Sequence, residues 1–548
     1  MSLKWFNYEP RETILKIVGV ENEQGETISS IFANPFERTA SIRAWAGARE
    51  SRSSEHVVDI LKEMKKNQTD ADKRIETFFV NYGHASVADM ARFPISFHNV
   101  PMHFAFTIFN LGYVNSGQEK STRYQTEFEK VSLDSLLKYL PEEQVNIVEL
   151  YYQKMLKIAH QNFAKHKKLI TENYEEYYKP STEREQKSLE SRVLDTVRYF
   201  LLFGQRTGLM YEDSARNFSK IISTLKASPL KSYQLKAQEL QTFLTPSEEI
   251  ETEQGFKAEA PSLIRHAEKN STVNDNLQEL KKYLIETKEY EVLREKINPN
   301  FLGFTEQSTE IIPKTFDSSE KIISQYLLTM LPGLHINDAL LYSQELSSEK
   351  RKEISKIITK NHNRHKQMPE WSGVTDLSII VNSDLGALRD WNRHRAMNRF
   401  VNLPITYGLE VNYDTVQQII NHGYGLASYL TDVEEFSEQK QEFIQDMDQY
   451  YQELNKLVEF AKNENIESFE WVINLLPLAH NFTLIMHANP LQIPYMTELR
   501  ARNGGHINYR KIAWDINQEF SDMNEHFNQF RLSDQPLSKD RTQFFDRS

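Results

Sequence analysis

Two stretches nearly half a chain apart constrain the fold more than any other feature: "RFPISFHNVPMHFAFTIFNLGYVNSG" (92–117) and "DLSIIVNSDLGALRDWNRHRAMNR" (376–399). Each begins with a run that reads as a short strand, continues into an apolar helix and ends in a polar loop. Aligning Leu111-Gly112-Tyr113 with Arg393-His394-Arg395 sets an offset of 282 residues, and aligning Lys226 of "STLK" with Arg500 of "TELR" sets one of 274. Two nearly equal offsets predict a duplicated unit. The 548 residues are enough for two domains, and 39% hydrophobic content gives each a core.

Elsewhere helical patterning dominates. "SSEHVVDILKEMKK", "NIVELYYQKMLKIAHQNF" and "SSEKRKEISKIITK" place apolar residues at helical spacing with charged opposite faces. The expected class is therefore α+β and mostly helical, with two tandem repeats, 1–245 and 263–548, each holding a small antiparallel sheet. Between them "TPSEEIETEQGFKAEAPS" (245–262) is polar, acidic and bracketed by prolines, which reads as an exposed acidic linker over 246–262. The second repeat ends in a polar C-terminal tail.

The formal net charge of −12 argues against broad attraction to nucleic acid or a membrane surface. Neither is expected as a partner. Arg393, His394 and Arg395 must then form a local site, because three adjacent donors repel unless an anion or carboxylates sit among them. Asp390 would face His394 if the preceding helix ran on by another turn. Cysteine is absent, which excludes disulfides, thiolate metal sites and cysteine nucleophiles, and no metal site is expected. The start "MSLKWFNYEPRE" lacks the apolar stretch of a signal peptide, so the expected location is cytoplasmic. Taken singly, each motif has a plainer reading: the triplet as a salt-bridged surface, His84 as a helix cap, and Arg500 and Arg502 as flanks of the turn signal "RNGGH".

The motifs together resemble the flavin-dependent thymidylate synthases. Their signature is a Gly-His segment, a strand, an apolar helix ending in Arg-His-Arg, and a Ser-x-Arg-Tyr ending. The first half keeps Gly83-His84 and "QEKSTRY" (118–124) but has Leu111-Gly112-Tyr113 in place of the basic triplet. The second half keeps the triplet in "RDWNRHR" (389–395), yet "AMNRFVNLPITYG" has no Ser-x-Arg-Tyr. Each half has lost what the other keeps. "DSARNF" (213–218) and "TELRARNGGHINYR" (497–510) are similar to the family's C-terminal helices.

The resemblance implies two thymidylate-synthase-complementing-type repeats and reductive methylation of dUMP to dTMP, with FAD as cofactor and methylenetetrahydrofolate and NADPH as co-substrates. It implies that Arg393, His394 and Arg395 serve FAD and nucleotide, with His84 and Arg216 near the flavin. Glu119, Ser121, Arg123, Arg393 and Arg500 would bind the nucleotide, Arg393 and Ser121 standing closest to the chemistry. Counterparts of His84 and Arg216 in the second half would be His365 and Asn489. The family's glutamine before the triplet is matched here by Asp390, so a related flavoenzyme acting on another pyrimidine nucleotide, or a flavin- or nucleotide-binding paralogue without catalysis, stays open. In the single-repeat family four copies form a tetramer, so a chain with two copies is expected to form a homodimer.

Overall fold

The computed structural model describes residues 4–8, 16–22, 25, 27–34, 36–50, 53, 58–62, 75, 87–112, 115–120, 142–297, 303–313, 318–359, 377–392, 394, 397–401, 412–466, 470–488, 492–522 and 531–546. Contacts divide the chain into two compact units, one made of 1–120 and 206–271 and the other of 121–205 and 272–548.

The first unit is built on an antiparallel sheet of β1 (Lys4–Tyr8), β2 (Lys16–Glu21), β3 (Thr27–Ala33), β4 (Arg92–Pro101), β5 (Ser116–Glu119) and β6 (Arg206–Ser214), in the order β1-β2-β3-β4-β6-β5. Strand β4 alternates as its sequence does: Phe93, Ile95 and Phe97 point inward. The next inward residue is Val100, because the register with β6 shifts between Phe97 and Val100 and Asn99 takes a left-handed φ of 52°. Asparagine tolerates that region better than most side chains. The following helix, Met102–Leu111, is mostly apolar and buried except at Asn110, and His103 and Thr107 on one of its faces hydrogen-bond the buried Tyr233 hydroxyl at 2.9 and 3.0 Å. Strand β6 runs directly into the helix Ala215–Ala227, whose start is fixed by the Ser214 hydroxyl accepting from the Asn217 amide at 3.2 Å.

In the second unit, β7 (Ser308–Pro313), β8 (Leu377–Asp384), β9 (Asn398–Val401) and β10 (Asn481–Ala488) form an antiparallel sheet in the order β7-β8-β10-β9. This is the order β3-β4-β6-β5 of the first unit over again. The run "RFPISFHNV" and the run "DLSIIVNSD" occupy the equivalent strands β4 and β8, each leading straight into a helix, Met102–Leu111 or Leu385–Trp391. The offsets recur as well: Ser116, opening β5, and Asn398, opening β9, are 282 residues apart, and Ser214 and Ala488, closing β6 and β10, are 274 apart. The fold is α+β and mostly helical, as the patterning predicts.

The second unit also contains the helices Glu142–Tyr178 and Glu183–Val197, although both lie in the first half of the chain. The reason is in their buried faces. His166 packs against Phe443 at 4.7 Å and Tyr174 against Phe436 at 5.2 Å, so these helices complete a layer with the helix Ser437–Asn463. Asp446 on that helix takes His166 at 2.9 Å and Lys165 at 2.7 Å. A second cluster of Leu277, Leu280, Leu327, Leu331 and Ile354 packs onto Ile380 of β8 and Ile485 of β10.

The stretch expected as an exposed linker, 246–262, is folded into the first unit. Ser247 caps the helix Glu248–Gln254, which ends at Gly255 with a left-handed φ of 62°. Glu251 is almost fully buried, where its carboxylate accepts from Arg38 Nη2 at 2.6 Å and from the Ala258 amide at 2.9 Å. Burial alone would raise its pKa, yet the Arg38 and Ala258 hydrogen bonds bring it below the ordinary glutamate value. An acidic composition here marks a packed ion pair.

Candidate functional site

The helix Leu385–Trp391 that precedes the basic triplet begins at Asp384, whose Oδ1 accepts from the Ala387 amide at 2.8 Å. Asp384 is fully buried, and burial raises its pKa against the pull of the Ala387 amide, Arg198 and Asn508. Its other oxygen accepts from Asn508 Nδ2 at 3.1 Å. The same amide donates to the Tyr199 hydroxyl at 2.7 Å and the Leu426 carbonyl at 2.8 Å, so one asparagine joins three segments of the second unit.

The helix stops at Trp391. Asn392 is its C-cap, and the His394 amide donates to the Trp391 carbonyl at 3.1 Å, so the further helical turn that would set Asp390 against His394 is not formed. His394 instead turns inward, and its Nε2 accepts from Arg500 Nε at 2.7 Å. An arginine nitrogen only donates, so this imidazole is neutral with its proton on Nδ1. Burial, then Arg500 and Arg399, push its pKa down to about 3, with Asp390 opposing. Asp390 Oδ1 lies 3.9 Å from Arg500 Nη1, and both side chains are mostly buried. The guanidinium of Arg500 also lies 5.7 Å from the ring centre of Tyr509.

The loop after Arg500 is held from below. Arg192, fully buried, donates to the carbonyls of Asn503 and Gly505 at 2.9 Å each, and also to those of Phe544 at 3.0 Å and Asp546 at 3.1 Å. Arg510 donates to the Asn503 side-chain oxygen at 2.5 Å and to Gln543 at 2.8 Å. The polar tail is thereby part of the packing beneath Arg500. Sequence reasoning missed Arg192, Tyr199, Asn508 and Arg510; a lone arginine beside an apolar helical face, as in "SLESRVLDTV", was the available signal.

Of the residues singled out from sequence, the structure brings Arg500 and His394 together, with Asp390 beside them. Arg216, in the first turn of its helix, makes a half-exposed ion pair with Asp89 at 2.9 Å. Glu119 closes β5 opposite Leu209 of β6, partly exposed. His84, Ser121, Arg123, Arg393 and Arg395, with His365 and Asn489, lie outside the described residues. Gly112 stands in the first half where His394 stands in the second. A Cβ there would lie 2.1 Å from the Tyr211 hydroxyl and 2.7 Å from Asn115 and Asp213, so the place is already filled. The Tyr211 hydroxyl donates to Asp213 at 2.7 Å, and Asn115 donates to the Gly112 carbonyl at 2.8 Å.

Two antiparallel sheets, each with a strand running into a helix and then an edge strand, and an arginine–histidine pair after the second, define an α+β protein. Residues 37–242 match the family described as thymidylate synthase complementing protein. A UPF0159 protein of Chlamydia pneumoniae is 23% identical over 498 residues, covering 88% of this chain and 85% of the relative. A second UPF0159 protein, from Chlamydia muridarum, is 27% identical over 165 residues, covering 30% of this chain and 26% of the relative. Among solved structures, thymidylate synthase X of Helicobacter pylori with FAD and dUMP aligns over 41% of this chain and 93% of its own, at 14% identity and a TM-score of 0.22. A second structure of the Helicobacter pylori enzyme, also complexed with FAD and dUMP, aligns over 42% and 95% at the same identity and TM-score. No described helix is long and apolar enough to cross a membrane.

Proposed function

We propose that the protein is an FAD-dependent thymidylate synthase-like enzyme that converts dUMP to dTMP, with methylenetetrahydrofolate and NADPH as co-substrates, and that it arose by tandem duplication. The observation that carries this reading is the Arg500–His394 pair: two residues 106 positions apart, both picked out by the resemblance, meet in a 2.7 Å hydrogen bond at the end of the β8 helix. The repeated strand order and the match over residues 37–242 support the same family.

In this reading Arg500 and Arg393 hold the pyrimidine nucleotide, and Glu119, Ser121 and Arg123 complete its site. His394 fixes Arg500 without adding charge, since its protonation beside two arginines is strongly disfavoured. The described groups at this place are a guanidinium, a neutral imidazole and a carboxylate, a set that fits a heterocycle better than a diphosphate. Holding the pyrophosphate of FAD therefore falls to Arg393 and Arg395, with His84 and Arg216 toward the ring. Bound FAD would supply the hydride chemistry, while the chain binds, orients and stabilises charge. Tritium release from C5-labelled dUMP, with FAD, NADPH and methylenetetrahydrofolate present, tests the reading. Release that stops with Arg500→Ala is expected, and no release from a flavin-loaded protein would reject dUMP methylation.

A second reading is favoured by Asp390, which puts a carboxylate 3.9 Å from Arg500: a related flavoenzyme acting on another pyrimidine nucleotide. Flavin uptake without tritium release would select it. We further propose a homodimer with one flavin per chain, since each half retains only part of the motif set.

A further inference from the structure

Arg500 has three guanidinium nitrogens, and the structure assigns two of them partners. Nε is spent on His394 at 2.7 Å, and Nη1 faces the Asp390 carboxylate at 3.9 Å. Both side chains of the latter pair are only 14% exposed, so solvent and salt screen their interaction weakly. Arg399 is the other cation acting on His394, and its Nη1 donates to the Asn392 carbonyl. We propose that Asp390 is a specificity-determining residue: its carboxylate screens Arg500 from phosphate groups and leaves that arginine to the neutral carbonyl edge of a pyrimidine ring.

The inference rests on the reading that Arg500 meets the nucleotide, and it specifies which part of the nucleotide. A phosphate dianion docked on the outer guanidinium nitrogens would lie within a few ångströms of the Asp390 carboxylate, and repulsion between like charges in partly buried ground would offset its attraction to Arg500. A ring carbonyl accepts a hydrogen bond without carrying a charge, so it incurs no such repulsion. A ring N–H next to that carbonyl can in turn donate to the carboxylate. The Tyr509 ring 5.7 Å from the guanidinium adds an aromatic surface of the kind a planar heterocycle packs on.

The experiment is calorimetric titration of the full chain, as wild type, Asp390→Asn, Asp390→Gln, and Asp390→Asn combined with Arg500→Ala. The ligands are dUMP, deoxyuridine and inorganic pyrophosphate. Removing the charge should tighten pyrophosphate binding by about tenfold or more while leaving deoxyuridine and dUMP, whose ring already meets Arg500, no tighter. The gain should disappear when Arg500 is removed as well. Two conservative variants guard against misfolding of either one, and thermal melts report it. A pyrophosphate affinity that stays equal or falls in both variants would overturn the proposal, as would a gain that persists without Arg500. Failure of the thymidylate synthase reading has its own signature, the absence of visible flavin absorbance after incubation with FAD. Pyrophosphate binding does not require that reading, so it decides the screening role of Asp390 in either case.

Discussion

Replacing Arg192 by alanine should be among the most damaging changes in the second unit. Its guanidinium makes four hydrogen bonds of 2.9–3.1 Å to the carbonyls of Asn503, Gly505, Phe544 and Asp546, and has no exposed surface. Taken as independent bonds to a charged donor at about 1.5–3 kcal/mol each, the four would sum to more than any single substitution usually costs. They are not independent, because water entering the vacated space can bond to some of the carbonyls. Asp195, 3.5 Å away and equally buried, would meanwhile lose its cation. A loss of about 3–5 kcal/mol is the expected net result. Urea unfolding followed by circular dichroism measures it, and native-state hydrogen exchange should show lost protection in 501–506 and 541–546 first. Arg541→Ala, at a pair with Glu185 that is half exposed on the arginine side, is the comparison and should cost clearly less. If Arg192→Ala cost no more than Arg541→Ala, or if the loop and the tail kept their protection, the account of Arg192 as the cross-link beneath Arg500 would be wrong.

Acid should weaken the fold through His394. Its folded pKa of about 3 lies below the ordinary value of 6.5, so its contribution is full above about pH 6.5 and is lost as pH falls toward 3. Between about pH 7 and pH 5 the loss attributable to this one group is about 2 kcal/mol, and His394→Gln should be flatter than wild type by that amount in denaturant titrations at the two pH values. Glu251→Gln should loosen the 246–262 segment, seen as faster proteolysis there, because Arg38 would be left without its carboxylate; equal cleavage rates would return the segment to the linker reading. Light scattering should give a dimer and flavin titration one FAD per chain, and a stable monomer or two flavins per chain would reject that arrangement.

What the sequence made legible was periodic or punctuated. The alternation in 92–101 and the apolar run in 377–384 were each followed by a helix whose ends are marked, by Pro101 and Gly112 in one case and by the Asp384 cap in the other. What stayed hidden depended on partners far along the chain. Glu251 looks like part of an acidic loop until Arg38, 213 residues earlier, is placed against it. Likewise an amphipathic face on 142–178 says that the helix packs but not against what, and its partners Phe436, Phe443 and Asp446 lie in the other half. For Asp390 the limit is local: facing His394 along a helix requires another turn, and the backbone leaves the helix at Asn392.

Under the proposed duplication, the two halves differ most at one matched position. In the second, the position after the helix carries an imidazole that can lie buried beside Arg500 because it is neutral, and the arginine is steadied by it. In the first, the equivalent position is Gly112, and the Tyr211 hydroxyl, Asn115 and Asp213 occupy the space a side chain would need. Restoring a histidine there would not restore a site. The Cβ alone would collide with the Tyr211 hydroxyl, and the neighbouring buried Asp213 already uses that hydroxyl and Asn217 as donors. Gly112→His should therefore destabilise the first unit by overpacking, at about 1–3 kcal/mol or more, without adding flavin or nucleotide binding. A Gly112→His chain that stayed as stable as wild type and gained a second nucleotide per chain would show that the first pocket is still open, and with it that loss of the triplet in the first half came without repacking.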